Sequence, residues 1–132
     1  MKRHFFALAA LLLAFILFGC THTTASKKKE GGILSVADIE SAPSSFKDNT
    51  LTVTGVVARV SEKDRKLFAL IDTDEAKHCK STGCAKFYLP VRFDGPAPKE
   101  WDEVNVTGRI VEQDGLVFQA TKLIVLQHLT LQ

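Results

Sequence analysis

The sequence contains few of the residues from which catalytic and metal sites are built. It has three cysteines and four histidines among 132 residues, and no second cysteine–histidine pair accompanies the cluster of His78, Cys79 and Cys84. It also lacks a nucleophile elbow and a glycine-rich phosphate-binding loop. These absences predict that the protein is not an enzyme.

The chain also lacks an excess of charge once its first residues are set aside. The formal net charge is +2, from 17 basic and 15 acidic residues. Lys2 and Arg3 account for this whole excess, so the rest of the chain is balanced. Nucleic-acid binding takes much of its affinity from basic residues that neutralise phosphates, and the balance therefore argues against a nucleic-acid partner.

The first twenty residues have the pattern of a bacterial export signal. A basic segment, residues 1–4, precedes an apolar run over residues 5–17, which is shorter than the ~20 apolar residues that a membrane-spanning helix needs. The sequence "LFGC" at residues 17–20 then resembles the lipobox of bacterial lipoproteins. The resemblance implies cleavage before Cys20, a diacylglyceryl group on its sulfur and an acyl chain such as palmitate on its amino group. The alternatives are an uncleaved amino-terminal anchor and a small-residue cleavage site with a cysteine nearby by chance.

A lipoprotein of this kind is held in the cell envelope by several acyl chains, which anchor far more firmly than one chain. Thr21 follows the cysteine, at the position where an aspartate would favour the inner membrane. The resemblance therefore implies the periplasmic face of the outer membrane, if the source has one. We expect a signal peptide over residues 1–19, a lipidated flexible tether over residues 20–32 and a folded domain over residues 33–132.

The folded domain is predicted to be mainly β. A short helix opens it, with Ser35 as its amino-terminal cap and Pro43 just beyond its end. Five strand patterns follow, over residues 50–60, 66–72, 86–93, 102–113 and 116–126. Asp114-Gly115 joins the last two as a tight hairpin turn, where glycine accepts a positive φ.

The first and fourth of these strands share the sequence Val-Thr-Gly, with Gly55 and Gly108 at the same phase. Glycine inside a strand usually marks a bulge or a bend, and long bent strands are what a small coiled barrel needs. Five strands with these bends resemble the OB-fold, a five-stranded Greek-key barrel. The sequence departs from many OB-folds because its clear helix precedes the first strand. An SH3-like or six-stranded barrel is the alternative.

The resemblance to OB-folds implies a binding face on the second and third strands and their loops. In this sequence that face would be built around Tyr88 and Arg92, with the loop of residues 73–85, including His78, at its edge. The alternative is that Tyr88 and Arg92 only cover the barrel. Trp101 is expected to plug an end of the barrel, since burial is the commoner use of an aromatic ring.

Cys79 and Cys84 are predicted to form a structural disulfide in the loop between the second and third strands. Lipidation of Cys20 would leave these two as the remaining cysteines of the chain. An exported protein lies in an oxidising compartment, where such a pair forms a disulfide. A metal ion such as zinc is the first alternative, with His78 as a third ligand, although a structural zinc site needs four. Thiol redox chemistry is the second, although the loop shows no helix signal that would place a cysteine at a helix start.

Three acidic residues near the loop could assist a metal ion. Asp72, Asp74 and Glu75 precede the cysteines but do not follow the pattern of a calcium-binding loop. The sequence therefore predicts no cofactor. We expect a membrane-anchored binding or interaction module of the envelope, whose partner is another envelope protein, a glycan or a small ligand. The alternatives are a metal-handling or thiol-redox protein and, third, an OB-type nucleic-acid binder.

Overall fold

The computed structural model describes residues 32–112 and 114–130. The predicted signal peptide, the lipidation site Cys20 and the tether up to Gly31 lie outside these residues. The elements in chain order are β1 Ile33–Ser35, α1 Val36–Ser41, a 3-10 helix Pro43–Phe46, β2 Leu51–Val60, β3 Leu67–Ile71, α2 Thr73–Cys79, β4 Leu89–Phe93, β5 Asp102–Glu112 and β6 Leu116–His128. Neither helix within the described ranges is long and apolar enough to cross a membrane.

Five of the six strands close into a barrel. β2 pairs antiparallel with β3, β3 with β4, and β6 with β5, while β4 and β6 run parallel. β2 also pairs antiparallel with β5, and this pairing closes the ring in the order β2-β3-β4-β6-β5. The predicted five-stranded OB-like barrel, preceded by a short helix, is confirmed. The sixth strand, β1, was not predicted and adds a short parallel edge to β2.

The two strand glycines have different roles. A Cβ atom on Gly108 would collide with the backbone oxygen of Gln119 in β6, and the register of β5 and β6 shifts at this point. The predicted bulge is therefore present at Gly108. A Cβ atom on Gly55 would lie 2.8 Å from Val36 Cγ2 and 2.9 Å from Ile71 O, so this glycine makes room for α1 and β3. The bulge of β2 lies further along the strand, between Val57 and Arg59.

Local sequence signals fix the start of α1 and the last hairpin. Ser35 Oγ accepts a hydrogen bond from Asp38 N at 3.1 Å, and Ser35 N donates to Asp38 Oδ2 at 2.8 Å. These two bonds form a capping box, and Ser35 is the amino-terminal cap that the sequence predicts. In the connection from β5 to β6, Asp114 and Gly115 have φ angles of 53° and 135°. Gly115 therefore takes the positive φ that was predicted for it.

The prediction that the loop after β3 contains no helix was wrong. α2 occupies Thr73–Cys79, and Asp72 Oδ1 accepts a hydrogen bond from Asp74 N at 2.9 Å. Asp72 is therefore the amino-terminal cap of α2, and Asp74 and Glu75 lie in its first turn, where acidic side chains are favourable. The acidic residues considered as metal ligands in the sequence are helix-start residues in the structure.

Two apolar clusters lie on opposite sides of the barrel wall. The interior is filled mainly by the buried residues Val36, Ile39, Val53, Val57, Leu70, Leu89, Val91, Val104, Val106 and Phe118. Val56 points away from this interior because successive side chains of a strand alternate between its faces. It forms a second cluster with Ala58, Ile71 and Ala76, so α2 covers the outer side of the barrel.

Trp101 packs against the second cluster. The expectation that it would plug an end of the barrel was wrong, because its ring belongs to the outer cluster and not to the barrel interior. Trp101 N donates to Val57 O at 2.8 Å, which fixes the start of β5 against β2. The ring is therefore a cover for the outer face of β2.

Candidate functional site

Two adjoining depressions lie on the outer side of the barrel, and both are lined by Arg59 and Tyr88. The first has a volume of about 250 Å³ and extends towards Thr82, Gly83 and Glu100. The second has a volume of about 240 Å³ and extends over Ser61, Leu67, Ala69 and Pro90. We call the two together the Tyr88 cleft. One end is polar, and the other is floored by apolar strand residues.

Tyr88 lies immediately before β4 and lines both parts of the cleft. It is half-buried, and its ring packs against the second cluster. Its hydroxyl donates a hydrogen bond to Thr82 O at 2.6 Å. Because the hydroxyl hydrogen is used within the protein, Tyr88 offers a ligand mainly its ring. The sequence prediction thus placed Tyr88 on the face where the structure has its cleft.

Arg59 is the functional side chain that sequence reasoning missed. It is exposed near the carboxyl end of β2, directly after the strand's bulge. Its guanidinium group makes no ion pair with any acidic residue that the structure describes. The only sequence signal is a charged residue within the apolar strand end "VVARV". An arginine with open donors beside an aromatic ring is suited to holding an anionic group.

Arg92 lies on the same side of β4 as Pro90 but does not line the cleft. Its Nη2 donates to Asp64 Oδ2 at 3.0 Å, and this pair joins β4 to the β2–β3 connection. Both side chains are partly exposed, so the pair contributes at most about 1 kcal/mol. Of the two residues at the centre of the predicted binding face, Arg92 is therefore paired with Asp64, and Tyr88 lines the cleft.

The predicted disulfide joins Cys79 and Cys84, with their Cα atoms 6.6 Å apart. Cys79 is the last residue of α2, and the chain then turns through Lys80, whose φ is 52°. We call residues 79–84 the stapled loop. Thr82 and Gly83 of this loop form one wall of the Tyr88 cleft. The disulfide thus holds a segment that shapes the cleft.

A separate groove lies at the two cysteines that end the stapled loop. It has a volume of about 450 Å³ and is lined by Asp74, Glu75, His78, Cys79, Cys84 and Lys86. The structure therefore places His78 at the disulfide and away from the Tyr88 cleft. Among the residues described, no three His, Cys, Asp or Glu side chains are grouped to hold a metal ion. The amino-terminal, positive end of α2 is at Thr73, so Cys79 lies at its opposite end.

Buried carboxylates occur at the start of β5, and their oxygens are already engaged. Asp102 Oδ1 lies 2.9 Å from His128 Nδ1, and Asp102 Oδ2 accepts from Lys99 N at 2.8 Å. Glu103 Oε2 accepts from Gln127 Nε2 at 2.5 Å, and its other oxygen lies 3.5 Å from Lys77 Nζ. These contacts hold the end of β6 and α2 to the barrel. His128 is the last residue of β6.

The sequence matches no protein-family model, and no curated protein matches it either. Among solved structures, the chain is similar to "the hypothetical protein ygiW from E. coli", with 17% sequence identity and a TM-score of 0.49. The similarity covers 74% of this chain and 92% of that chain. The assignment of the fold comes from the strand order of the chain itself.

Proposed function

We propose that this protein is a binding module, anchored to a membrane of the cell envelope through Cys20, whose ligand occupies the Tyr88 cleft. The observation that carries the proposal is the position of Arg59. Its side chain is exposed in both parts of the cleft and has no ion-pair partner among the described residues. The lipobox pattern at residues 17–20 supports the anchor.

The chemistry of the cleft favours a ligand that carries a single carboxylate. The guanidinium of Arg59 presents several donors in a planar fork that matches a carboxylate. Glu100 lies at the polar end of the same cleft and would repel a second anionic group, although it can accept hydrogen bonds from hydroxyl or amide groups. Leu67, Ala69 and Pro90 provide an apolar floor beside Arg59 for the body of the ligand. A sugar acid and the carboxyl terminus of a short peptide share this chemistry.

The experiment is a titration of the ¹⁵N-labelled full chain carrying Cys20→Ser, kept in mild detergent because of its apolar residues 5–17. The probes are two matched pairs: N-acetylmuramic acid with neutral N-acetylglucosamine, and acetyl-dialanine with its carboxamide. We expect amide shifts around Arg59 and Tyr88, and roughly tenfold tighter binding of a carboxylate probe than of its neutral partner, since a hydrogen bond to a charged group contributes about 1.5–3 kcal/mol. The pair of probes that causes these amide shifts shows whether the ligand is a sugar acid or a peptide.

Two arginine variants make the test specific. Arg59→Gln should remove the preference for the carboxylate, whereas Arg109→Gln, a change at another exposed strand arginine, should preserve it. A preference for the carboxylate that survives Arg59→Gln, or shifts confined to other surfaces, would contradict the proposal.

The alternative function, metal handling or thiol redox chemistry, would use the groove at Cys79 and Cys84. Elemental analysis and alkylation of the same preparation, purified without reductant or chelator, distinguish it. Stoichiometric metal with two free thiols would replace the binding-module proposal by this alternative.

A further inference from the structure

We propose that the Cys79–Cys84 disulfide is a redox-sensitive switch for the Tyr88 cleft. Its reduction by a dithiol would release the stapled loop from its position at the cleft and weaken ligand binding. The inference rests on the proposed function, because it concerns the regulation of the same cleft.

The disulfide is accessible to a reductant. Both Cys79 and Cys84 are exposed, and both line the groove at the disulfide, which shares no lining residue with the Tyr88 cleft. Thiol–disulfide exchange begins with attack of a thiolate on one sulfur atom, so access to the sulfur atoms is its first requirement. A reductant that enters this groove does not have to displace a ligand from the Tyr88 cleft.

The stapled loop is a wall of the cleft, and the disulfide is its covalent tie to α2. The disulfide joins its end to α2, and the hydrogen bond from Tyr88 Oη to Thr82 O joins its middle to the chain before β4. The bonds from Gly83 N to Ser81 Oγ and from Cys84 Sγ to Ser81 O are internal to the loop. At the start of the loop, Lys80 N donates to Ala76 O at 3.0 Å. Without the disulfide, the end of the loop at Cys84 would lose its covalent tie to α2, and only non-covalent contacts, among them the hydrogen bond of Tyr88, would position Thr82 and Gly83.

The rest of the domain has contacts of its own that should keep it folded without the disulfide. Asp72 caps the start of α2, and Ala76 in its middle is buried in the second cluster. The barrel interior contains neither cysteine. Reduction should therefore leave a folded barrel with a released loop, which gives the protein two folded states with different clefts.

The dithiol supplies the electrons and protons that the reduction of the disulfide consumes. Its two sulfur atoms form a disulfide with each other, and its two electrons and two protons convert the Cys79–Cys84 bond into two thiols. The partner that this chemistry requires is a protein with a reactive dithiol, and dithiothreitol can replace it in the test.

The test compares the full chain carrying Cys20→Ser before and after dithiothreitol, with the thiol count measured by alkylation and intact mass. For the carboxylate probe that binds the oxidised protein, we expect a Kd roughly fivefold or more higher after reduction, within the usual range of coupling between two sites. Amide hydrogen exchange over residues 80–84 should become faster. Exchange in β2 and β5 should become faster only as far as the overall loss of stability requires, and the fluorescence of Trp101, the only tryptophan of the chain, should stay the same.

The double variant Cys79→Ser/Cys84→Ser is the matched control. It should bind like the reduced protein and should not respond to dithiothreitol. Equal Kd values in the two redox states, or unchanged exchange over residues 80–84 after verified reduction, would overturn the inference. If no probe binds in either state, the proposed function fails, whereas faster exchange in the loop would still support its release by reduction.

Discussion

Asp72 links the starts of both helices of the domain. Its Oδ2 accepts a hydrogen bond from Ala37 N at 3.2 Å, across 35 positions of sequence, and its Oδ1 accepts from Asp74 N at 2.9 Å. The carboxylate is buried at the end of β3. One side chain thus fixes α1 and α2 relative to the barrel. Because α2 ends at Cys79, it also positions the first residue of the stapled loop.

Replacing Asp72 should destabilise the whole domain. We expect Asp72→Ala to lower the free energy of unfolding by about 2 kcal/mol, because it removes a helix cap and leaves a second amide without its acceptor. Urea unfolding followed by Trp101 fluorescence would measure the change. Asp94→Ala, which removes an exposed ion pair with Lys66, is the control and should change stability by less than about 1 kcal/mol. Equal effects of the two substitutions would contradict the role of Asp72.

The close approach of β5 to β6 at Gly108 should not tolerate a side chain at this position. A methyl group there would meet Gln119 O and lie 2.8 Å from Ala120 Cα, and backbone atoms cannot move aside cheaply. We expect Gly108→Ala to lower the free energy of unfolding by about 3 kcal/mol. Gly83→Ala is the matched control, since its methyl group would lie 3.6 Å from Ser81 Oγ. A Gly108→Ala protein as stable as Gly83→Ala would show that the two strands are further apart than described.

The disulfide should contribute modestly to stability. Cross-linking so short a loop is worth about 2 kcal/mol in the chain-entropy description. The double variant Cys79→Ser/Cys84→Ser should therefore still fold, with a free energy of unfolding lower by about that amount, as measured in urea without reductant. Adding dithiothreitol to the unsubstituted protein should give the same shift. An unfolded double variant would mean that the disulfide supports the barrel as well as the loop.

Lipidation at Cys20 can be tested directly in a bacterial host. Cells expressing the full chain should incorporate a clickable palmitate analogue into the protein and retain it in the membrane fraction. Cys20→Ser should abolish labelling, because it removes the sulfur that the first acyl chains require. Labelling that persists in Cys20→Ser would disprove the site, and an unlabelled but membrane-bound protein would favour the uncleaved anchor.

Much of the fold could be predicted because its signals are local. The alternation of apolar residues along each strand, the capping pair Ser35 and Asp38, and the turn at Asp114-Gly115 are all expressed over a few neighbouring positions. The extra strand β1 was missed because a three-residue segment shows too little alternation to be recognised. α2 was missed because its acidic first turn has the same residues as a possible metal site.

The sequence by itself determined the mainly β character of the domain, because the alternation of apolar residues along each strand is local. It predicted a bulge or bend at Gly108 and favoured a disulfide between Cys79 and Cys84, with a metal ion and thiol redox chemistry left as alternatives. Only the tertiary structure decided where the cleft lies and which residues line it. Arg59, Tyr88 and Glu100 lie on separate segments of the chain, and the closure of β2 onto β3 and β5 brings them together. Long-range pairing of this kind depends on the register between strands, which no local pattern encodes.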